Sequence, residues 1–375
     1  MNKKSINIAD PTFTKKDRTI IHAEIDKILS GKLSMGNNVK AFEKEFSEYS
    51  NSKYAIATNS CTSALEIALK GLGISSGDEV IVPCQTFIAT GMAVHLVGGK
   101  PIFCEVNEKD FCIDIEHLKS LITSKTKGVI LVHFAGLISD DIFKIKELCD
   151  EYNIFLIEDA AHAPGASINK KKSGTIGIAG CFSFFPSKVI TAGEGGMLIT
   201  DNEKLADFSR SQQHRGRDNH SKKEQYILPG RNVRMTEMTA ITGRVQFSHL
   251  DEFLSKRRMI ADKYKKAFRE NDRIKVIAPD DNLCSSYWKF PILLSSNINR
   301  NALLNHLIDK GINADTTYDP LLHLQPIFKN EFNITENHLP NSEGLMKRHL
   351  CLPCHQNISI HECEYIIDSI MELIT

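Results

Sequence analysis

The chain has 375 residues, 42% of them hydrophobic, enough to build two domain cores. Lysine plus arginine and aspartate plus glutamate balance at 46 each, so no net field draws the protein to nucleic acid or to an anionic membrane. The N-terminus has two lysines with no apolar stretch behind them, unlike a secretory leader, and the longest apolar run, 128–138, is broken by His133 and too short for a bilayer. These features predict a cytoplasmic protein whose ten cysteines are small buried thiols rather than a disulfide frame.

Strand-like and helix-like patterns alternate from about residue 54 to 200. Residues 54–58 read as a strand, and 62–72 as a helix with Ala64, Leu65, Ala68 and Leu69 on one face. A turn at 73–78 leads to a strand at 79–83, a helix near 86–97 and a strand at 101–106. Next come a helix at 114–122, a strand at 128–134, an amphipathic helix at 140–152 and a strand at 154–158. Lys170, Lys171 and Lys172 read as a hairpin tip, ahead of strands at 181–185 and 196–200. The strands are continuously apolar rather than alternating, as parallel strands covered on both faces are. The pattern predicts an α/β fold with a central, mainly parallel sheet whose ligands bind beyond the carboxyl ends of the strands.

Past Thr200 the pattern changes. A helix at 203–212 is followed by 213–234, polar and rich in Arg, His and Gly, which reads as a mobile loop. A long helical region covers 236–270, then a strand at 287–294, a helix near 300–310 and a final helix at 361–373. We expect a large domain over 1–248, with an N-terminal arm, and a smaller C-terminal α+β domain over 249–375.

Residues 181–196 hold the densest chemistry. An apolar strand runs to Phe185, then Pro186-Ser187-Lys188 precedes the turn Gly193-Glu-Gly-Gly196. An amine set among Phe184, Phe185, Val189 and Ile190 is desolvated, which lowers its pKa and frees its lone pair to attack a carbonyl. Asp159 ends another strand and could face a pyridine nitrogen, or could simply cap the segment after it. The turn Asn59-Ser60-Cys61-Thr62-Ser63 offers amides and hydroxyls to an anion, although an ordinary N-cap would look the same. Ser183 could add a hydroxyl to that anion, and His162 could touch a cofactor ring or merely pack. A carbonyl-binding lysine, a carboxylate for a ring nitrogen and a phosphate cradle are the parts of a pyridoxal 5'-phosphate site, the cofactor we expect. Gly174, Gly177 and Gly180 lack the dinucleotide fingerprint and precede a strand instead of opening a helix. His349, Cys351, Cys354 and His355 look like part of a zinc or haem site, but no second cysteine pair completes a tetrahedron, and no metal is expected.

In order and spacing these motifs resemble the DegT/DnrJ/StrS family of pyridoxal-phosphate-dependent sugar aminotransferases, of the aspartate-aminotransferase-like fold type I, over nearly the whole chain. The resemblance rests on Gly36 with Phe42-Glu43, Ser60-Cys-Thr-Ser-Ala-Leu65, Gly77-Asp-Glu-Val-Ile-Val-Pro83 with Thr86-Phe87, and Glu158-Asp-Ala-Ala-His162. It continues through Cys181-Phe-Ser-Phe-Phe-Pro-Ser-Lys188, Gly193-Glu-Gly-Gly196, Asn232-Val-Arg-Met235, Leu322-His-Leu-Gln-Pro326 and Leu352-Pro353. It implies that Lys188 bonds the cofactor and shuttles the proton, that Asp159 pairs with the ring nitrogen, and that Phe87 stacks near the ring. Thr62, Ser63 and Ser183 would hold the phosphate, joined by Asn232 from a second subunit, which implies a homodimer with shared sites. Cys61, in the cofactor-binding turn, replaces the family's usual Gly or Ala. His162 replaces a common Gln or Glu and inclines the reading toward amination at sugar C4. A lysine rather than a histidine at 188 favours transamination over dehydration. The implied substrates are L-glutamate and a nucleotide-linked keto-sugar, for amino sugars of surface polysaccharide or lipopolysaccharide, with Tyr318 and His323 as candidate substrate contacts. The alternatives are the same chemistry on a keto-cyclitol or small phosphorylated ketone, or a non-catalytic regulator that kept the fold.

Overall fold

The computed structural model describes residues 5–277 and 283–374. Seven strands build the central sheet: β1 (Tyr54–Thr58), β2 (Glu79–Pro83), β3 (Lys100–Cys104), β4 (Thr126–Val132), β5 (Phe155–Asp159), β6 (Ala179–Ser183) and β7 (Gly196–Thr200). Their order is β1-β7-β6-β5-β4-β2-β3. Within this sheet β7 alone runs against its neighbours β1 and β6, and the remaining pairs are parallel. The chain thus adopts the mainly parallel α/β sheet expected of continuously apolar strands.

Successive strand residues point to opposite faces and feed two cores. Ile130, Ile157, Cys181 and Leu198 belong to one core, and Val129, Leu131, Leu156, Phe182 and Ile199 to the other. Helix Cys61–Gly71 covers the first face with Ala64, Leu65, Ala68 and Leu69. Helix Asn37–Ser50 covers the second, where Phe42 lies 5.1 Å from Phe184 and Phe46 lies 4.9 Å from Phe182, ring centre to ring centre. Truncating a phenylalanine this deep to Ala costs about 3–5 kcal/mol. Gly196 is required at the start of β7, because a Cβ there would stand 2.4 Å from the Ser60 carbonyl carbon. The strand therefore passes directly behind the turn that opens the helix.

Strand ends shift from the expected positions by a residue or two, and three expectations need correction. The helix expected over 86–97 starts only at Ile88, with Phe87 extended at its N-cap. Residues 213–234, read as a mobile loop, fold back on themselves through bridges pairing His214 with Asn232 and Arg217 with Tyr226. The long helix of 236–270 is two helices, Glu237–Phe247 and Leu250–Phe268. At the break Ser248 turns its hydroxyl onto the Val245 carbonyl, 2.7 Å, and His249 turns its Nε2 to Asp17, 2.9 Å. The lysine hairpin is present: Asn169 and Lys170, at φ 49° and 66°, form the tip between Ser167–Ile168 and Lys171–Lys172.

Beyond the helix break a small antiparallel sheet, β8 (Ile274–Val276), β9 (Phe290–Leu294) and β10 (His349–Leu352), packs with helices Arg300–Asp309 and Ile360–Ile374. The halves on either side of the expected division at 248 interlock. Leu283–Cys284 pairs with Ser167–Ile168, Ile6 pairs with Ile312, and one apolar core runs from Ile56 to Leu352. The cysteine–histidine cluster is dispersed among partners: His349 packs on Phe111 and Phe134 beside Cys351, Cys354 meets the Arg257 carbonyl, and His355 meets the Asn7 carbonyl. No helix among the described residues is long and apolar enough to cross a membrane.

Candidate active site

A cavity of about 620 Å³ opens at the carboxyl ends of the sheet, bounded by Val132 from β4, Asp159 from β5, Ser183 from β6 and the turn after β1. Strand alternation puts Ser183 there. Phe182 and Phe184 go into the core behind the sheet, so the residue between them faces the other way. Lys188 follows on the loop, half-buried, with Nζ 4.3 Å from the centre of the Trp288 ring. Burial pulls its pKa down from 10.5 to about 8, against the opposing pull of Asp159. No carboxylate among the described residues forms an ion pair with it. The amine is poised to lose its proton near neutrality.

Asp159 is buried, accepting a 2.8 Å hydrogen bond from Thr90 at Oδ2 and a 3.2 Å bond from the Ala161 amide at Oδ1. Burial raises its pKa, partly offset by those bonds and by the Lys188 charge. A buried carboxylate beside an open cavity, with no cation on it, is a site for a protonated ring nitrogen. His162 stacks on Trp288 at 3.9 Å and shares a 3.0 Å hydrogen bond with the Tyr318 hydroxyl through Nε2. Its Nδ1 is buried without a partner, and burial followed by the nearby lysine charges keeps the ring neutral. Phe87 meets Tyr318 at 5.6 Å on the cavity wall.

At the other end, helix Cys61–Gly71 starts at the cavity with Ser60 as its cap, whose Oγ accepts from the Ser63 amide at 3.2 Å. Ser60, Cys61 and Thr62 line the space, and the Cys61 thiol lies 4.0 Å from Asp159. Ser63 is one step out: its hydroxyl donates to Asn59 at 2.7 Å and is not part of the lining. Asn232 is exposed on the hairpin of 213–234, outside the cavity of its own chain. His323 does not reach the cavity either. It is fully buried, bonded to Glu343 at 3.1 Å and packed near Phe103, so its place is structural and the expectation of a substrate contact is corrected.

The residues present fit pyridoxal phosphate. A carboxylate without a cation and an amine of lowered pKa face one cavity beside a neutral imidazole, and a helix N-terminus with hydroxyls suits a phosphate. Trp288, Lys289, Thr90, Asp315 and Thr317 were missed by sequence reasoning. Trp288 donates its indole N–H to the Ser187 carbonyl at 2.5 Å and so ties the segment before β9 to the loop that carries Lys188. The signal available was the chain's single tryptophan, followed by a lysine just ahead of an apolar strand.

The family model described as the DegT/DnrJ/EryC1/StrS aminotransferase family matches residues 15–371. The chain is 35% identical over 369 residues to GDP-perosamine synthase of Escherichia coli O157:H7, covering 98% of each. It is 36% identical over 334 residues to a UDP-N-acetyl-3-dehydro-alpha-D-glucosamine 3-aminotransferase of Acidithiobacillus ferrooxidans, covering 88% of this chain and 87% of that one. Among solved structures it is similar to the Spr1654 protein of Streptococcus pneumoniae in its PLP-form, with TM-score 0.90, 27% identity and coverage of 99% and 98%.

Proposed function

The chain belongs to the DegT/DnrJ/EryC1/StrS aminotransferase family, and on that footing we propose that it moves an amino group from L-glutamate to a keto group, at C4, of a nucleotide-linked sugar. It is a sugar aminotransferase that depends on pyridoxal phosphate, with fold type I. The observation that carries the reading is the meeting of Lys188, Asp159, His162 and the helix-start hydroxyls around one cavity. His162, by the resemblance, favours C4. The similarity to two enzymes named for nucleotide-sugar amination supports the substrate class. The reading places the enzyme in the cytoplasm, as a homodimer.

When bound, the cofactor supplies an electrophilic carbonyl and a ring that accepts electron density as a Cα–H bond breaks. Lys188 Nζ would take that proton and hand it back, a task suited to an amine whose pKa is lowered to about 8. Asp159 would keep a ring-nitrogen proton in place, and Thr90 and the Ala161 amide fix the carboxylate's orientation. Ser60, Thr62 and Ser183, which line the cavity, would hold the phosphate. His162 and Trp288 stack to wall the cavity, and the Tyr318 hydroxyl holds the imidazole in plane.

The test is the visible spectrum of the purified protein with L-glutamate, beside Lys188→Ala. We expect the cofactor band to fade with glutamate and return when a nucleotide-4-keto-sugar is added, while K188A shows no turnover. A K188A protein that still turned over would end the assignment, and return of the band with a keto-cyclitol alone would move the substrate class.

A further inference from the structure

Lys289 lines the same cavity but has no role in the mechanism above. Its ammonium is almost fully buried, donates to the Asp315 carboxylate and to Thr317 Oγ1, 2.6 Å, and lies 4.3 Å from the centre of the Trp288 ring. An ammonium has three N–H donors, and these contacts use two. The described lining holds four carboxylates, Asp159, Glu194, Asp315 and Asp319, and two lysines, Lys188 and Lys289, and Asp319 is already paired with Arg300 behind the wall at 3.0 Å. Lys188 is committed to proton transfer and His162 is held neutral. Of the two lysines in the described lining, that leaves Lys289 to meet an anionic substrate.

We propose that Lys289, shared with Asp315, binds the α-carboxylate of the amino donor. The inference rests on the transaminase reading above. Distance selects the ligand: Lys188 and Lys289 lie against the same indole, no more than twice 4.3 Å apart. The carboxylate of an amino acid is one bond from the carbon whose proton Lys188 takes. The phosphates of a nucleotide sugar lie across the sugar ring from its ketone. Asp315 competes for the ammonium and keeps it from trapping the donor, so a ligand carboxylate exchanges with a resident one.

The chain has a single tryptophan, so Trp288 reports binding directly. The test titrates α-methyl-L-glutamate, which has no Cα proton to lose, into the holoenzyme while following Trp288 emission, and measures KM for each half-reaction. Lys289→Met should weaken the analogue and raise the KM for glutamate about tenfold or more, with KM for the keto-sugar changed less than about threefold. K289R should restore most of the affinity. Asp315→Asn should leave donor binding unchanged or tighter, because it removes the competing carboxylate. Unchanged donor affinity in K289M, or a loss confined to the keto-sugar, overturns the proposal; the latter assigns the lysine to a phosphate. A D315N protein that weakens the donor as much as K289M also overturns it, since a purely structural ion pair predicts that, and D315N decides the matter if K289M does not fold. A wild-type enzyme that ignores glutamate but answers to another amino acid refutes the donor identity above, and the same comparison then runs with that amino acid.

Discussion

Lys188 is desolvated for its chemistry, and the protein without its cofactor bears the cost. Its folded pKa, about 8, lies below the ordinary lysine value of 10.5. Between those values the unfolded chain binds more protons than the folded one, so the stability of the apoprotein rises with pH through that window. Below about pH 8 both states are protonated and the penalty is fully present. Lys188→Met should therefore stabilise the apoprotein at pH 7 by about 1–3 kcal/mol, a gain that shrinks toward pH 10. Thermal melts of apo wild type and K188M at both pH values check this, and identical melting at pH 7 would mean that the amine is solvated. At this scale, reading the sequence succeeds where the chemistry is local. Lys188 sits among its own apolar neighbours and Asp159 ends its own strand. Trp288, Lys289 and Asp315 arrive from across the fold, and no spacing along the chain announces them. His323 is misread for the converse reason, since the short turn Leu322–Leu324 swings it inward to Glu343 while Tyr318 stays on the cavity wall.

The elements that aim the site depend on a few buried carboxylates that cap them. Glu237, the first residue of its helix, accepts from the backbone amides of Gly36, Asn38 and Val39 at 2.9, 2.8 and 3.0 Å. It thereby supplies the N-cap that helix Asn37–Ser50 lacks of its own, because Gly36 has no side chain to offer. Glu237→Ala strands three buried amides, and we expect a loss of about 2–4 kcal/mol in urea unfolding, with E237Q intermediate. Gly36→Ala should fail in the same direction, since its Cβ would stand 2.7 Å from the Glu237 carboxyl carbon. A wild-type midpoint for E237A would show that water replaces the carboxylate. The strands were legible because burial on both faces writes an unbroken apolar run. This cap was not, since it joins residues about 200 positions apart, and the 213–234 hairpin was not, since its polar legs pair through backbone bridges and one His214–Arg234 side-chain contact and leave no periodicity.

On the scale of the whole molecule, one predicted site residue stands outside the cavity of its own chain. Asn232 is exposed on a hairpin and does not line the cavity, although the carbonyl of the next residue, Val233, accepts from the Asn59 amide at 2.9 Å, and Tyr226 and Ile227 of that hairpin are also exposed. Phe87 and Phe185 line the cavity yet remain open to solvent. Apolar surface on the hairpin and at the cavity mouth fits coverage by a second copy, whose hairpin would carry Asn232 to this site. The consequence is genetic as well as structural. In the proposed homodimer, Lys188→Ala and Asn232→Ala should each be inactive or nearly so as pure proteins, because each would spoil both sites. Mixed after mild dissociation, half of the reassembled dimers are heterodimers, and each has one site with neither change and one with both. The mixture should regain about a quarter of wild-type activity. Recovery requires that Lys188 and Asn232 of one site come from different chains. A mixture that exchanges subunits, seen by mass or by a tag, and yet regains nothing would place Asn232 in the site of its own chain or in none.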